Sequence, residues 1–152
     1  MYGRRLSWLA LIAGVIVTAA CGAAPEPAAE PPAAPAAARV FFEEPLDGAM
    51  VTSPVHLRFG IENFAIAAVP EGSTLTTARP AMGHHHVGVD TECLPEGSVI
   101  PMAAPWVHFG TGSNEIDMQL SPGPHTLALQ IGDDLHTTMT GLCTRINITV
   151  TE

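Results

Sequence analysis

The sequence predicts an all-β fold, an immunoglobulin-like antiparallel β-sandwich over residues 40–152, with a closed barrel as the alternative. Three observations carry this. Apolar residues recur with period two along that region, turn residues punctuate the alternating runs at short spacing, and no stretch of it has a helical period. Short half-buried strands joined by tight turns bury their apolar faces against a second sheet.

The elements follow in chain order. In VHLRFGI (55–61), Val55, Leu57, Phe59 and Ile61 share one face, while His56 and Arg58 take the other, so His56 reads as surface. GHHHVGVD (83–90) is a strand whose core face is set by Val87 and Val89. NEIDMQL (114–120) alternates Ile116, Met118 and Leu120 with Glu115, Asp117 and Gln119. HTLALQI (125–131) aligns Leu127, Leu129 and Ile131, and RINITV (145–150) aligns Ile146, Ile148 and Val150. Asp47-Gly48, Ser121-Pro-Gly-Pro124 and Gly132-Asp-Asp134 supply turns between them.

The chain before residue 40 has a different character. Arg4 and Arg5 precede an apolar run, Leu9–Val17, and the small residues Thr18, Ala19 and Ala20 lead into Cys21. This is the layout of a bacterial lipoprotein signal over residues 1–20, with Cys21 as the lipidated residue. Thr18 stands where a leucine is usual three residues before the modified cysteine. The apolar run is shorter than the ~20 residues of a membrane-spanning helix. Residues 21–39, rich in Pro and Ala, read as an extended tether reaching ~3 Å per residue. The expected location is the cell envelope, lipid-anchored at the outer membrane and facing the periplasm.

Removal of the signal leaves four arginines and no lysine against fifteen acidic residues, a formal charge of −11 with His neutral. Such a surface argues against nucleic acid and anionic headgroups as partners and is compatible with a cation. With Cys21 consumed by the lipid, Cys93 and Cys143 remain, and an even pair in an exported domain reads as one disulfide. Closing a loop of that length contributes ~3–4 kcal/mol in the chain-entropy model. Neither cysteine stands in a CxxC or CxxxxH spacing, which disfavours a thiolate metal pair.

The seven histidines are sorted by phase. His85 shares the core side of Val87 and Val89, whereas His84, His86 and Asp90 lie on the opposite, outward side, together with Gly88. Residues two apart on a strand are ~6.6–6.8 Å apart at Cα, so His84 and His86 can converge on one ion, which needs metal–nitrogen bonds of ~2.0–2.1 Å. His108 in WVHFGTG and His136 in GDDLHTT, near strand ends, are the candidates to complete a metal site of Cu or Zn with His84 and His86. His85, Asp90 and His125 are expected to be structural or to orient the ligands from behind. His125 follows the core phase of Leu127. An edge that uses its imidazoles only for hydrogen bonds is the plainer reading of the same residues.

GHHH with Asp90 beyond it, HFGTG (108–112), LSPGPHTLALQIGDDLH (120–136) and the opening FFEEPLDGAMVTSPVHLRFGI (41–61) together resemble a bacterial family of exported domains of unknown function. The resemblance implies a secreted or lipid-anchored β-sandwich with a histidine-rich feature. Gly88 stands where that family more usually has a bulky apolar residue, which would open space beside His86.

Three functions follow as expectations. The first is an envelope protein binding Cu or Zn, with no organic cofactor. The Irving–Williams order favours Cu²⁺; Met82 and Met102 would serve Cu⁺, although methionines more often fill cores. The second is an interaction or structural module without metal, its protein partner unspecified. Trp106 is its one aromatic expected at the surface, too little for a glycan platform. The third is an enzyme similar to copper–zinc superoxide dismutase in its H-x-H strand pair and disulfide, but the bridging-histidine and zinc-loop pattern is missing. No catalytic residues are assigned: Ser98, Ser113 and Ser121 lie in no GxSxG context, and Cys143 lacks the nearby His and Met of a blue-copper loop.

Overall fold

The computed structural model describes residues 36–71 and 74–152. The expected signal peptide, the lipid acceptor Cys21 and all but the last four tether residues lie outside them. Residues 36–38 carry no regular structure, and Arg39 opens the first strand, one residue earlier than the sequence boundary.

All regular structure among the described residues is β, in two sheets. One sheet has the order β1 (Arg39–Glu44), β3 (Val55–Glu62), β7 (Glu115–Met118) and is antiparallel throughout. The other has the order β2 (Met50–Thr52), β9 (Thr138–Thr151), β8 (Gly123–Gly132), β5 (Met82–Val89), β4 (Ala65–Ile66). Here β6 (Trp106–His108) also pairs with β5. The long pairs β5–β8 and β8–β9 are antiparallel; only the short β2 and β4 run parallel to their neighbours.

Alternation produces the core between the sheets. Val55, Leu57 and Phe59 of β3 meet Val87, Leu127, Leu129, Ile131, Ile146 and Ile148 from the second sheet, all buried. Each such side chain contributes about 1.5–3 kcal/mol relative to exposure. Phe59 sits edge-on to Phe42 and Phe109, with ring centres 5.9 and 5.2 Å away. The other face of the three-stranded sheet is solvated. There His56 Nδ1 pairs with Asp117 at 2.8 Å, and Arg58 pairs with Glu43 and Glu44 at 2.7 and 3.0 Å. Exposed pairs of this kind stabilise by only about 0–1 kcal/mol each.

The outer face of the six-stranded sheet departs from expectation. Period-two phasing treats it as open to solvent, but the chain between β5 and β6 folds over it. The Cys93–Cys143 disulfide ties this segment to β9, with Cα atoms 6.1 Å apart. Gln130, on the outward side of β8, exchanges two 2.9 Å hydrogen bonds with the backbone of Leu94. Thr138 Oγ1 donates to Pro95 O at 2.7 Å and accepts from Ser98 N at 3.0 Å. Beneath this cover Ile100, Trp106 and Ala128 form a second apolar cluster. Trp106, expected at the surface, is therefore buried, and the outward side of β5 lies inside the protein.

Candidate metal centre

The second sheet places four histidines together. β5 is flanked by β8 on one edge and by β4 and β6 on the other. Register sets His108 of β6 directly opposite His86, on the same face. Gly132 of β8 stands opposite His84, and the turn that follows it brings His136 over the pair. One ligand atom from each of His84, His86, His108 and His136 lies within 4.8 Å of all the others.

Small residues make this approach possible. A Cβ on Gly132 would lie 2.8 Å from His86 Cε1 and 3.2 Å from His136 Cα. A Cβ on Gly110 would collide with His108 Cε1. Gly88 does not have the role its phase suggests: the space beside it is filled by Thr91 and by Trp106 ring atoms 3.1 Å from an added Cβ. His136 adopts a left-handed conformation (φ 64°), which costs a non-glycine residue on the order of 1 kcal/mol. Asp133 holds that turn: its Oδ1 accepts from Leu135 N at 2.8 Å and Thr137 N at 2.9 Å, and its carbonyl accepts from His136 N at 2.9 Å.

The four rings form a three-dimensional cage. Their six centre-to-centre distances run from 4.6 Å (His84–His86) to 5.5 Å (His86–His136). Four coplanar points must have a longest separation about 1.4 times the shortest or more, so these rings are disposed as a tetrahedron rather than a square. A tetrahedral ion with metal–nitrogen bonds of ~2.0–2.1 Å, and ring centres ~1.1 Å beyond each nitrogen, requires centres about 5 Å apart. The cage has that size.

Its hydrogen bonding within the protein is incomplete. His84 Nε2 faces His108 Nε2 at 2.9 Å, and His136 Nε2 faces His108 Nε2 at 3.0 Å. His84 Nδ1 and both nitrogens of His86 are buried with no protein partner. A neutral imidazole carries one N–H, and that of His86 makes no hydrogen bond of ordinary geometry, interacting only with the His84 backbone, at a cost of up to about 1–3 kcal/mol. Burial first, and then the neighbouring rings, lower the His84 pKa to about 4 and that of His86 to about 2. Burial, then His136, also lowers that of His108. Neutral imidazole is the ligand form, so protons compete weakly for His84 and His86.

Rings held neutral in the fold take up protons near 6.5 once unfolded. Their contribution is complete above that pH and is lost as pH falls from 6.5 toward the folded values. Lowering the pH of the metal-free protein from 7 to 5 is expected to reduce its Tm by at least ~5 °C. A Tm that rose over this interval would contradict buried, neutral His84 and His86.

The remaining sequence candidates lie elsewhere. His85 points to the core side, its ring 5.2 Å from that of Phe59, and its Nδ1 donates to Ser113 O at 3.2 Å. Asp90, with φ 53°, closes β5 by pairing with His125 Nδ1 at 2.9 Å and accepting from Thr126 N at 3.1 Å. His125 Nε2 donates to Ser121 O at 2.8 Å; that bond and then Asp90 raise its pKa. The two residues brace the β5 and β8 ends rather than the cage. Met102 is 68% exposed.

An ion pair that includes a residue of the His136 turn escapes sequence reading. The Asp134 carboxylate is fully buried and accepts three hydrogen bonds from Arg79, at 2.7–2.9 Å. The Arg79 guanidinium holds its pKa down to about 2, with a smaller contribution from His84. Fifty-five residues separate the pair, and no local spacing signals it.

The sequence model of one family, described as Domain of unknown function (DUF4399), matches residues 57–151. No curated protein and no solved structure matches the chain.

Proposed function

The chain belongs to the DUF4399 family of domains of unknown function, and we propose that this member is an envelope protein that holds one transition-metal ion, Zn²⁺ or Cu⁺, in a cage of four imidazoles. One observation carries the reading: His84, His86, His108 and His136 converge tetrahedrally, and three buried ring nitrogens of His84 and His86 have no hydrogen-bond partner in the protein. Tetrahedral donors suit the d¹⁰ ions Zn²⁺ and Cu⁺ better than Cu²⁺, whose nitrogen sites are square-planar or tetragonal. Four protein ligands also leave no open position for water or substrate, which supports holding the ion rather than catalysis with it. Lipid on Cys21 and a Pro-rich tether would present the domain to the periplasm.

Replacing His84 and His86 together by Ala tests this. Protein purified from cells without a histidine tag is expected to carry bound metal by elemental analysis, and the double variant none. Equal metal in both would remove the site.

A further inference from the structure

Asp133 and Asp134 are neighbours with different work. Asp133 already makes the hydrogen bonds that shape the turn carrying His136. Asp134 makes none of these and instead turns its carboxylate inward, where its side chain is completely buried. An unpaired carboxylate there would be disfavoured by its loss of hydration. Arg79 offsets this by donating from its backbone N (2.9 Å) and Nε (2.8 Å) to Oδ2, and from Nη2 (2.7 Å) to Oδ1. Nη2 also donates to Ala68 O at 2.8 Å, which ties the guanidinium to a second segment.

The pair is unequally placed. The anion is wholly inside, and the Arg79 side chain is 33% exposed, where water screens its charge. Asp134 stands two residues before His136 and one beyond the dipeptide that begins with Gly132, the partner of His84 in the ladder. Both oxygens are taken by Arg79, so the carboxylate is not a spare metal ligand. What it adds beside the cage is its charge, which acts on His84.

We propose that Asp134 is the counter-charge of the imidazole cage, oriented by Arg79, and that it sets the preference of the site for divalent over monovalent d¹⁰ ions. The inference rests on the reading that the four histidines hold a cation. Coulomb energy is linear in the charge of the ion. Removing the carboxylate therefore lowers the logarithm of the affinity twice as much for Zn²⁺ as for Cu⁺. A purely structural role would weaken both ions by the same factor.

The test uses the full chain and its Asp134→Asn variant, titrated with Zn²⁺ and, anaerobically with ascorbate, with Cu⁺. The expected losses are about tenfold for Cu⁺ and about a hundredfold for Zn²⁺. Equal losses, or none, would overturn the proposal while leaving the cage intact. Should Asp134→Asn fail to fold because Arg79 loses its partner, the double variant Arg79→Gln/Asp134→Asn removes both charges and keeps hydrogen-bonding groups. It is expected to show the same order with smaller factors, and equal factors there would also overturn the proposal. An unmodified chain that bound neither ion would overturn the metal reading, and this inference with it.

Discussion

Replacing His86 by Leu is expected to stabilise the metal-free protein by about 1–2 kcal/mol while weakening metal binding more than about a hundredfold. His86 is fully buried, and neither of its nitrogens has a protein partner. Leu has nearly the same volume and no polar atom, so the substitution removes the unsatisfied donor without leaving a large cavity. The gain is trimmed by fit, because the branched side chain must share space with Gly132, whose added Cβ would already come within 2.8 Å of the ring. The loss of affinity exceeds the 10–100-fold typical of residues that only support a ligand, since one of four donors disappears. Denaturant unfolding of the metal-free forms and competition against a chromophoric chelator measure the two effects. A less stable variant with unchanged affinity would mean that His86 is ordinary core.

The second large effect is expected from the disulfide. Changing Cys93 and Cys143 to Ser reopens a loop of 50 residues, worth about 4 kcal/mol in the chain-entropy model. For a domain of this size that lowers the Tm by on the order of 15 °C. The affected segment is the one folded over the outward side of β5 and β8, and it leads directly into β6 and His108. Gln130 and Thr138 still hold its backbone near Leu94 and Pro95. The cage is therefore expected to keep His84, His86 and His136 in place and to lose affinity mainly through a looser His108. Thermal unfolding of the two forms decides the first point, and a Tm within about 3 °C of the unmodified protein would contradict the structural role given to the bridge.

The architecture was legible because it is local. Val55, Leu57 and Phe59, or Leu127, Leu129 and Ile131, announce one buried face by alternation alone, and each is buried in the sandwich. The same phase separates His85, against Phe59, from His84 and His86, which share the other side. Alternation cannot tell what lies over a face. The outward side of β5 was read as exposed because nothing in its own residues reveals that the Cys93–Trp106 segment covers it, and Trp106 was misjudged for the same reason. The His86–His108 pairing is a matter of inter-strand register, 22 residues apart in the chain. Asp134 with Arg79, and Gly132 beneath two of the rings, depend on contacts that only the assembled sheet creates. Asp90 and His125, which the sequence leaves as structural or supporting residues, hydrogen-bond each other and the backbone.

The most direct measurement is a metal titration of the full chain, made without a histidine tag, with Zn²⁺ and anaerobic Cu⁺ and with bound metal counted by elemental analysis. One equivalent held per chain at neutral pH is the predicted result. No stoichiometric metal at neutral pH would contradict the central claim and leave the four buried imidazoles as part of an envelope interaction module.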